Sequence, residues 1–191
     1  MTTIRRDKDF YITPSWAVNI LLDNYQIHTG HVLEPCAGNG AVCKALREHD
    51  SWDGSITAVE IREEEQDALS KVCDDVIISD FLQVSKGDLK LPEHGCLGAI
   101  ISNPPFSIAQ EIIEHCFEIS DEDTEIIMLL RLGWLESKKR RPFWVNHPNV
   151  SLITLMERPK FIGKSTDFAA YGWFIWNKQE QFILPCVAGR I

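Results

Sequence analysis

The stretch His31-Val32-Leu33-Glu34-Pro35-Cys36-Ala37-Gly38-Asn39-Gly40 predicts the fold of the chain. A short apolar strand ends at Glu34, small residues follow where the backbone must turn, and a helical pattern begins at Gly40. In α/β folds such a turn lies at the carboxyl end of the sheet, where ligands bind. The stretch lacks the third glycine of the dinucleotide fingerprint, so an ordinary strand-to-helix turn is an equally good interpretation of it alone.

The same alternation of apolar runs and helical patterns continues along the chain and predicts a mostly parallel α/β sheet with helices on both faces. The seven predicted strands are His31–Glu34, Ile56–Ile61, Val76–Asp80, Gly98–Ser102, Glu125–Leu130, Val150–Glu157 and Tyr171–Asn177. The predicted helices are Pro14–Asn24, Gly40–Glu48, Glu63–Val72, Ile108–Glu118 and Ser137–Asn146. Thr13 is expected to cap the first helix, with Pro14 at its first position. The last two strands are too close for a crossover helix and are expected to form an antiparallel hairpin at the sheet's edge.

Length and composition predict one globular domain over residues 1–191. Hydrophobic residues make up 45% of the chain and charged residues 25%, and no apolar run reaches the length that crosses a bilayer. The first eight residues lack the apolar stretch of a signal peptide. We therefore expect a soluble, cytoplasmic protein whose six cysteines, which include no Cys-x-x-Cys pair, are reduced core thiols.

The charge of the chain is unevenly distributed. A net charge of −9 argues against a general nucleic-acid-binding protein, yet residues 1–130 hold 9 Lys/Arg and 24 Asp/Glu while residues 131–191 hold 10 and 4. The cations of the last third include the run Lys138, Lys139, Arg140 and Arg141, here called the basic run. Either a solvated helix face or a phosphate-binding surface would explain it, and the sequence leaves both open.

Two more strand ends carry carboxylates that suit a nucleoside. Glu60 ends the second strand about 20 residues after the glycine turn, from where a carboxylate binds both hydroxyls of a ribose. Asp80 ends the third strand and offers an acceptor to an exocyclic amine, and Phe81 offers a ring to an adenine face. A polar strand terminus is the alternative for Glu60 alone, but three successive strand ends point to one nucleoside.

The most specific element is Asn103-Pro104-Pro105-Phe106 at the end of the fourth strand. Two prolines make this turn rigid and hold the Asn103 amide oxygen and the Pro104 carbonyl as two acceptors. Accepting both protons of an amine on a π system favours tetrahedral nitrogen and directs its lone pair toward an electrophile. Phe106 would supply a stacking face. A merely stiffened loop is the weaker interpretation at this position.

Together these elements resemble the class I S-adenosylmethionine-dependent methyltransferases, specifically the amino-methyltransferases with a D/N/S-P-P-Y/F/W motif that modify adenine N6. The resemblance spans nearly the whole chain. The motifs follow one another in the same order as in those adenine methyltransferases whose cofactor motifs precede the catalytic motif. Residues 9–14 (Asp-Phe-Tyr-Ile-Thr-Pro) are similar to the family's cofactor-covering segment, so residues 1–30 are expected to form this segment and the first helix. Residues 158–161 and 171–176 are similar to small phage-type DNA adenine methyltransferases.

The resemblance implies a role for each matching residue. The cofactor-binding set is Tyr11, Thr13, Pro14, Glu34, Pro35, Cys36, Ala37, Gly38, Gly40, Glu60, Ile61, Asp80, Phe81 and Asn103. Within it, Glu34 would bind the methionine ammonium, Glu60 the ribose, and Asp80 with Phe81 the adenine. The catalytic set is Asn103, Pro104, Pro105 and Phe106, and the substrate-binding set is Phe106, Phe161, Lys138, Lys139, Arg140 and Arg141. No metal is implied.

The expected function is methyl transfer from S-adenosylmethionine to adenine N6 in nucleic acid, with DNA favoured over RNA by the similarity of the tail. Only 85 residues follow Phe106 and the sheet needs most of them, so no separate target-recognition domain is expected. An RNA adenine methyltransferase would share every catalytic residue. A protein glutamine methyltransferase would not need the basic run, and a non-catalytic cofactor-binding subunit is disfavoured by the intact motif.

Overall fold

The computed structural model describes residues 11–27, 30–91, 96–161 and 168–176, and the backbone of 185–188. Its strands are β1 (His31–Glu34), β2 (Ser55–Glu60), β3 (Asp75–Ile78), β4 (Ala99–Ser102), β5 (Glu125–Arg131), β6 (Ser151–Leu155), β7 (Tyr171–Trp176) and β8 (Pro185–Ala188). Its α-helices are α1 (Ser15–Asn24), α2 (Ala41–Glu48), α3 (Gln66–Leu69), α4 (Ala109–Ile119) and α5 (Arg141–Asn146). All seven predicted strands are therefore confirmed, with ends that differ by one or two residues.

The strands form one sheet in the order β3-β2-β1-β4-β5-β7-β6-β8. The pairs β1–β2, β2–β3, β1–β4 and β4–β5 are parallel, whereas β7 runs antiparallel to both β5 and β6. The mostly parallel sheet and the antiparallel β6–β7 hairpin are confirmed. Because β1 and β4 are neighbours although β2 and β3 lie between them in sequence, the chain reverses its direction of winding at β1, which is the place where open α/β sheets bind ligands.

Buried residues lie on both faces of this sheet. One core packs α1, α2 and Leu69 against alternate strand residues such as Val32 and Ile101, and the other packs α4, Trp134 and Phe143 against the intervening ones. Every residue of β1 is buried, as expected for a strand covered on both faces. The Trp173 indole N–H donates to the Ala17 carbonyl at 2.7 Å and so ties α1 to β7.

Several local predictions were wrong. An eighth strand, β8, pairs parallel with β6, so the β6–β7 hairpin is not at the edge of the sheet. Strand β8 was not predicted because it has four residues and begins with proline, which weakens a strand pattern. The helix predicted over 63–72 is a 3-10 turn followed by the four residues of α3, because Leu69 is its only buried residue. The one predicted over 137–146 is likewise a 3-10 turn, Lys138–Arg140, followed by α5. Pro14, not Thr13, occupies the N-cap of α1.

Two further findings bear on the expected class of protein. Within the described ranges, no helix combines the length and the apolar character needed to cross a membrane. Five cysteines, Cys36, Cys43, Cys73, Cys96 and Cys116, are thiols without a disulfide bond. Cys43 and Cys116 are core residues as predicted, but Cys96 is exposed, and the Cys186 side chain lies outside the described residues.

Candidate active site

Glu34 lies at the carboxyl end of β1, in the middle of the sheet, and is 1% exposed. Its Oε1 accepts a hydrogen bond from the Ser102 hydroxyl at 2.5 Å, which joins the ends of β1 and β4. Its Oε2 is buried and has no hydrogen-bond partner among the described residues. Burial raises the pKa of this carboxyl to about 8, against the effect of the Ser102 hydrogen bond. Glu34 therefore has a buried oxygen without a described partner, which would accept from a cation when the carboxyl is ionised.

Glu60 ends the neighbouring strand β2, where it accepts three hydrogen bonds. The Gly38 N–H donates to Oε2 at 2.7 Å, and the Arg62 N–H and Nε–H donate to Oε1 at 3.0 and 2.9 Å. The residue is 6% exposed. A carboxylate has about four acceptor positions, so Glu60 holds the glycine turn in place and keeps capacity for a ligand hydroxyl.

The turn from Pro35 to Gly40 is shaped by two glycines with positive φ, 58° at Gly38 and 78° at Gly40. A side chain at Gly40 would be strained and would lie 3.1 Å from Leu69. The Ala37 N–H donates to the Val59 carbonyl at 2.9 Å, which fixes the turn against β2. Glycine is therefore required by the backbone at these two positions.

Asp80 and Phe81, the two residues that were expected to contact the adenine, follow β3 and lie in different environments. Asp80 is half-buried, and its Oδ1 accepts from the Leu82 N–H at 3.2 Å, so the carboxylate begins a short turn. The Phe81 ring is 2% exposed and packs edge-on against His115 of α4, so it belongs to the core. Ile61, in contrast, follows Glu60 directly and is 39% exposed. The exposed apolar surface next to Glu60 therefore comes from Ile61.

Asn103 follows β4 and contacts the segment that precedes α1. Its Nδ2 donates to the Thr13 hydroxyl at 3.0 Å and to the Tyr11 carbonyl at 3.5 Å. Its Oδ1 is buried and makes no hydrogen bond to any residue that the structure describes. Because a carbonyl can only accept, the Tyr11 partner requires the NH2 side of the amide to face it. The amide oxygen is therefore presented as an unused acceptor.

Four rings, Tyr11, Phe106, Phe161 and Tyr171, form an aromatic cluster beside Asn103. The centroid of Phe106 lies 5.0 Å from that of Tyr11, 5.8 Å from that of Tyr171 and 6.2 Å from that of Phe161. The planes of Phe106 and Phe161 meet at 71°, so these two rings do not form parallel walls. A planar ligand stacked on Phe106 would meet Phe161 edge to face.

The cation of this cluster is Arg131, at the carboxyl end of β5, which sequence reasoning did not single out. Its guanidinium carbon lies 4.7 Å from the Phe106 centroid, and its Nε–H donates to the Tyr171 hydroxyl at 2.9 Å. The residue is exposed, although it holds this cation–π geometry. The signal in the sequence was a cation directly after the predicted fifth strand, Glu125–Leu130, whose carboxyl end lies at the ligand-binding edge of the sheet.

The basic run follows β5 but is not uniform. Lys138, Lys139 and Arg141 are exposed, whereas Arg140 is half-buried, lies over the Trp134 ring at 4.5 Å and donates to the Trp134 carbonyl at 3.4 Å. Trp134 belongs to the core that contains α4, on the face of the sheet opposite to the core against which Phe106 packs. The structure therefore separates one structural cation from three solvated ones.

Comparison with known proteins identifies the fold. No protein-family model and no curated protein sequence matches the chain. Among solved structures, a protein described as an RNA methyltransferase from Pyrococcus horikoshii is 17% identical with a TM-score of 0.63, and 93% of each chain is covered. A protein described as a class I S-adenosylmethionine-dependent methyltransferase from Listeria monocytogenes is 14% identical with a TM-score of 0.63, over 97% of this chain and 68% of that one.

A third similar structure is a modification subunit described for a type I restriction enzyme of Vibrio vulnificus. It is 15% identical with a TM-score of 0.56, and this chain is covered to 96% but spans only 46% of that subunit. At these identities the likeness concerns the fold. The chain has the Rossmann-like fold of the class I methyltransferases, as the sequence predicted.

Proposed function

We propose that this protein transfers the methyl group of S-adenosylmethionine to N6 of adenine in nucleic acid, with DNA as the favoured substrate, acting as a single cytoplasmic domain. The observation that carries the proposal is the Asn103 amide, whose Nδ2 is held by Thr13 and Tyr11 while its buried Oδ1 has no described partner. This amide lies on a proline-stiffened turn, beside the carboxyl groups at the ends of β1 and β2 and beside the aromatic cluster. An acceptor in that place suits an amine.

The residues at the ends of β1, β2 and β3 fit the cofactor. The buried, unpartnered Glu34 Oε2 suits the methionine ammonium, because a cation there would satisfy an otherwise isolated oxygen. Glu60 would accept from the ribose hydroxyls, Ile61 would cover one face of the adenine, and Asp80 would accept from its amine. The main chain from Pro35 to Gly40, including Cys36 and Ala37, would line the methionine end. When bound, S-adenosylmethionine would supply an electrophilic methyl group from its sulfonium, and the sulfur would keep the electrons of the broken S–CH3 bond as a neutral thioether.

The target amine would be oriented by Asn103 Oδ1 and the Pro104 carbonyl. With both N–H groups donating to these oxygens, tetrahedral nitrogen is favoured and the lone pair leaves its conjugation with the ring and points toward the electrophile. Catalysis is mainly orientation and acceptor placement. Neither Pro104 nor Pro105 has an N–H that would oppose the amine. No general base is required, since an aryl ammonium is a strong acid that loses its proton to water.

The target base would stack on Phe106, with Phe161 against its edge and Arg131 nearby. In a duplex the base must first leave the stack, which costs a few kcal/mol, and ring contacts and cations compensate for this cost. Phosphates would be bound by the exposed members of the basic run. The net negative charge of the chain comes from residues 1–130, whereas residues 131–191 carry a net positive charge.

The test supplies labelled S-adenosylmethionine with duplex DNA, single-stranded DNA, RNA and cell protein in parallel. We expect label in DNA, recovered as N6-methyladenine after digestion to nucleosides. Asn103→Ala should be inactive, and Asn19→Ala, on the exposed side of α1, is the matched control that should retain activity. Label in RNA alone would reassign the substrate, label in protein glutamine would reassign the reaction, and no label in any arm would contradict the proposal.

A further inference from the structure

Thr13 contacts Asn103 although the two residues are 90 positions apart in sequence. Thr13 is 5% exposed, and its hydroxyl makes no capping hydrogen bond to α1, whose N-cap is Pro14. Threonine before a helix normally caps it, so the hydroxyl is used here for another purpose. The helix that follows is fixed to the sheet by the hydrogen bond from Trp173 to Ala17, which fixes the position of Thr13 in turn.

Two contacts hold the Asn103 amide. The Tyr11 carbonyl can only accept and therefore selects the NH2 end, whereas the Thr13 hydroxyl can donate or accept and so fixes the position of the side chain. The oxygen and nitrogen ends of an amide have almost the same shape, so rotation by half a turn would exchange them with little steric cost. A reversed amide would present N–H groups to an amine that itself donates. The Tyr11 carbonyl, at 3.5 Å, is a long hydrogen bond and cannot fix the amide strongly alone.

We infer that Thr13 is a positioning residue: its hydroxyl anchors the Asn103 side chain where the Tyr11 carbonyl selects the NH2 end, so that the amide oxygen faces the target amine. The inference rests on the proposed function and differs from the cofactor contact that the sequence assigned to Thr13. Thr13 touches neither the amine nor its acceptor and acts through Asn103. A threonine at this position therefore serves the transfer step more than it serves cofactor affinity.

The first test compares Thr13→Val, which keeps the shape and removes the acceptor, with Thr13→Ser, which keeps the hydroxyl. We expect Thr13→Val to lower kcat by on the order of 100-fold, as for other small misplacements of a reacting group, with the Kd for S-adenosylmethionine within about threefold. Thr13→Ser should restore kcat to within about threefold. Thr57→Val, which removes a buried hydroxyl hydrogen-bonded to His31 at 3.2 Å, controls for lost stability.

The second test places Thr13→Val in the Asn103→Asp background. Both oxygens of a carboxylate accept, so a loosened side chain still offers an acceptor in either orientation, and Thr13→Val should cost clearly less there than the roughly 100-fold expected with Asn103. The same loss in both backgrounds would overturn the inference, as would a rise in the cofactor Kd that accounts for the whole loss in Thr13→Val. In either case Thr13 would act independently of Asn103.

A third measurement needs no activity. In the cofactor-free protein, the side-chain N–H protons of Asn103, assigned by their absence in Asn103→Asp, should exchange with solvent at least about tenfold faster in Thr13→Val and unchanged in Thr13→Ser. If the wild type methylates nothing, the proposed function fails while this exchange still decides the contact. If Asn103→Asp is inactive, the second test gives no rate to compare, and the exchange measurement still decides the contact between Thr13 and Asn103. Unaltered exchange in Thr13→Val would overturn the inference.

Discussion

The half of the site at the ends of β1 and β2 uses its polar atoms differently from the half at the end of β4. In the first, here the cofactor half, Glu60 accepts three hydrogen bonds and holds the glycine turn. In the second, the target half, Asn103 Oδ1 is buried without a described partner and the planes of Phe106 and Phe161 meet at 71°. The cofactor half is organised by internal contacts, whereas the target half presents an acceptor to a group from outside.

Glu34 stands between these two extremes. One of its oxygens is bonded to Ser102 and the other has no described partner, and burial raises its pKa to about 8. Substitutions in the two halves should therefore have different effects. Substitutions in the target half should lower the rate of transfer, and substitutions in the cofactor half should lower affinity for the cofactor.

The largest expected effect is that of Asn103→Ala on transfer. Removing the amide oxygen removes one of two acceptors for the target amine, and we expect kcat to fall by on the order of 1000-fold, as for the loss of one oriented transition-state contact. The Kd for S-adenosylmethionine, measured by calorimetry, should change by less than a few-fold. Equal losses of rate and cofactor affinity would abolish the distinction between the two halves.

Glu60→Ala should have the second largest effect and the opposite pattern. It removes the remaining acceptor position for a ribose hydroxyl, about 1.5–3 kcal/mol for a hydrogen bond to a charged group, which corresponds to a Kd raised by roughly 10- to 150-fold. The rate with saturating cofactor should recover most of its wild-type value. Unchanged affinity in calorimetry would mean that the ribose is bound elsewhere. Glu63→Ala, on the exposed 3-10 turn nearby, is the control for lost charge.

The third prediction concerns pH. In the cofactor-free protein the raised pKa keeps Glu34 protonated at neutral pH, and binding of an ammonium requires the carboxylate. Affinity for S-adenosylmethionine should therefore fall as the pH is lowered from about 8 to about 6, by roughly 50-fold from the change in the ionised fraction. Glu34→Gln should bind weakly at every pH and should show only the titration of the cofactor's own amine.

The raised pKa of Glu34 also makes the free energy of unfolding depend on pH, in a direction that follows from the shift. The folded-state pKa of about 8 lies above the ordinary value of 4.5, so the folded protein holds this proton more tightly than the unfolded chain. The contribution of Glu34 to the free energy of unfolding is complete below pH 4.5 and is lost as the pH rises to 8. Glu34→Gln should lose less stability over this window in denaturant titrations; parallel curves would contradict the buried, protonated state.

The difference between the halves also explains what the sequence could predict. The glycine turn, Glu34, Glu60 and the turn from Asn103 to Phe106 are contiguous segments, each at the end of a strand whose apolar pattern is visible locally. Parallel strand ends meet at one edge of the sheet, so their proximity follows from the fold class alone. The identity of these strands could therefore be predicted well.

The target half depends on contacts that no local pattern encodes. The sequence predicts that Thr13 caps the first helix. Its hydroxyl instead accepts a hydrogen bond from Asn103, because tertiary packing brings the two residues together. Arg131 lies over Phe106, and Phe81 packs in the core, for the same reason. Strand β8 was missed because four residues that begin with proline give too weak a pattern. Ring planes and hydrogen-bond partners follow from packing, which periodicity does not determine.

The smallest expected effects belong to the basic run, where the structure sharpens a question that the sequence left open. Lys138, Lys139 and Arg141 are exposed, while Arg140 lies over Trp134. If the three exposed cations contact phosphates, changing them to Ala should flatten the salt dependence of affinity for duplex DNA by about 0.9 in slope for each contact. Cofactor affinity should not change, since none of them belongs to the cofactor half.

The matched comparison for the basic run is a second triple variant, Lys44, Lys71 and Lys90 to Ala, which changes the net charge equally in the acidic part of the chain. Its slope should equal that of the wild type, because general charge acts weakly at these salt concentrations. Arg140→Ala should lower stability by about 0.5–1 kcal/mol through the lost contact with Trp134, with a small change in slope. Filter binding between about 50 and 200 mM salt gives the slopes. A wild-type slope in the first triple variant would make the run a solvated helix face and leave Arg131 as the cation that meets the nucleic acid.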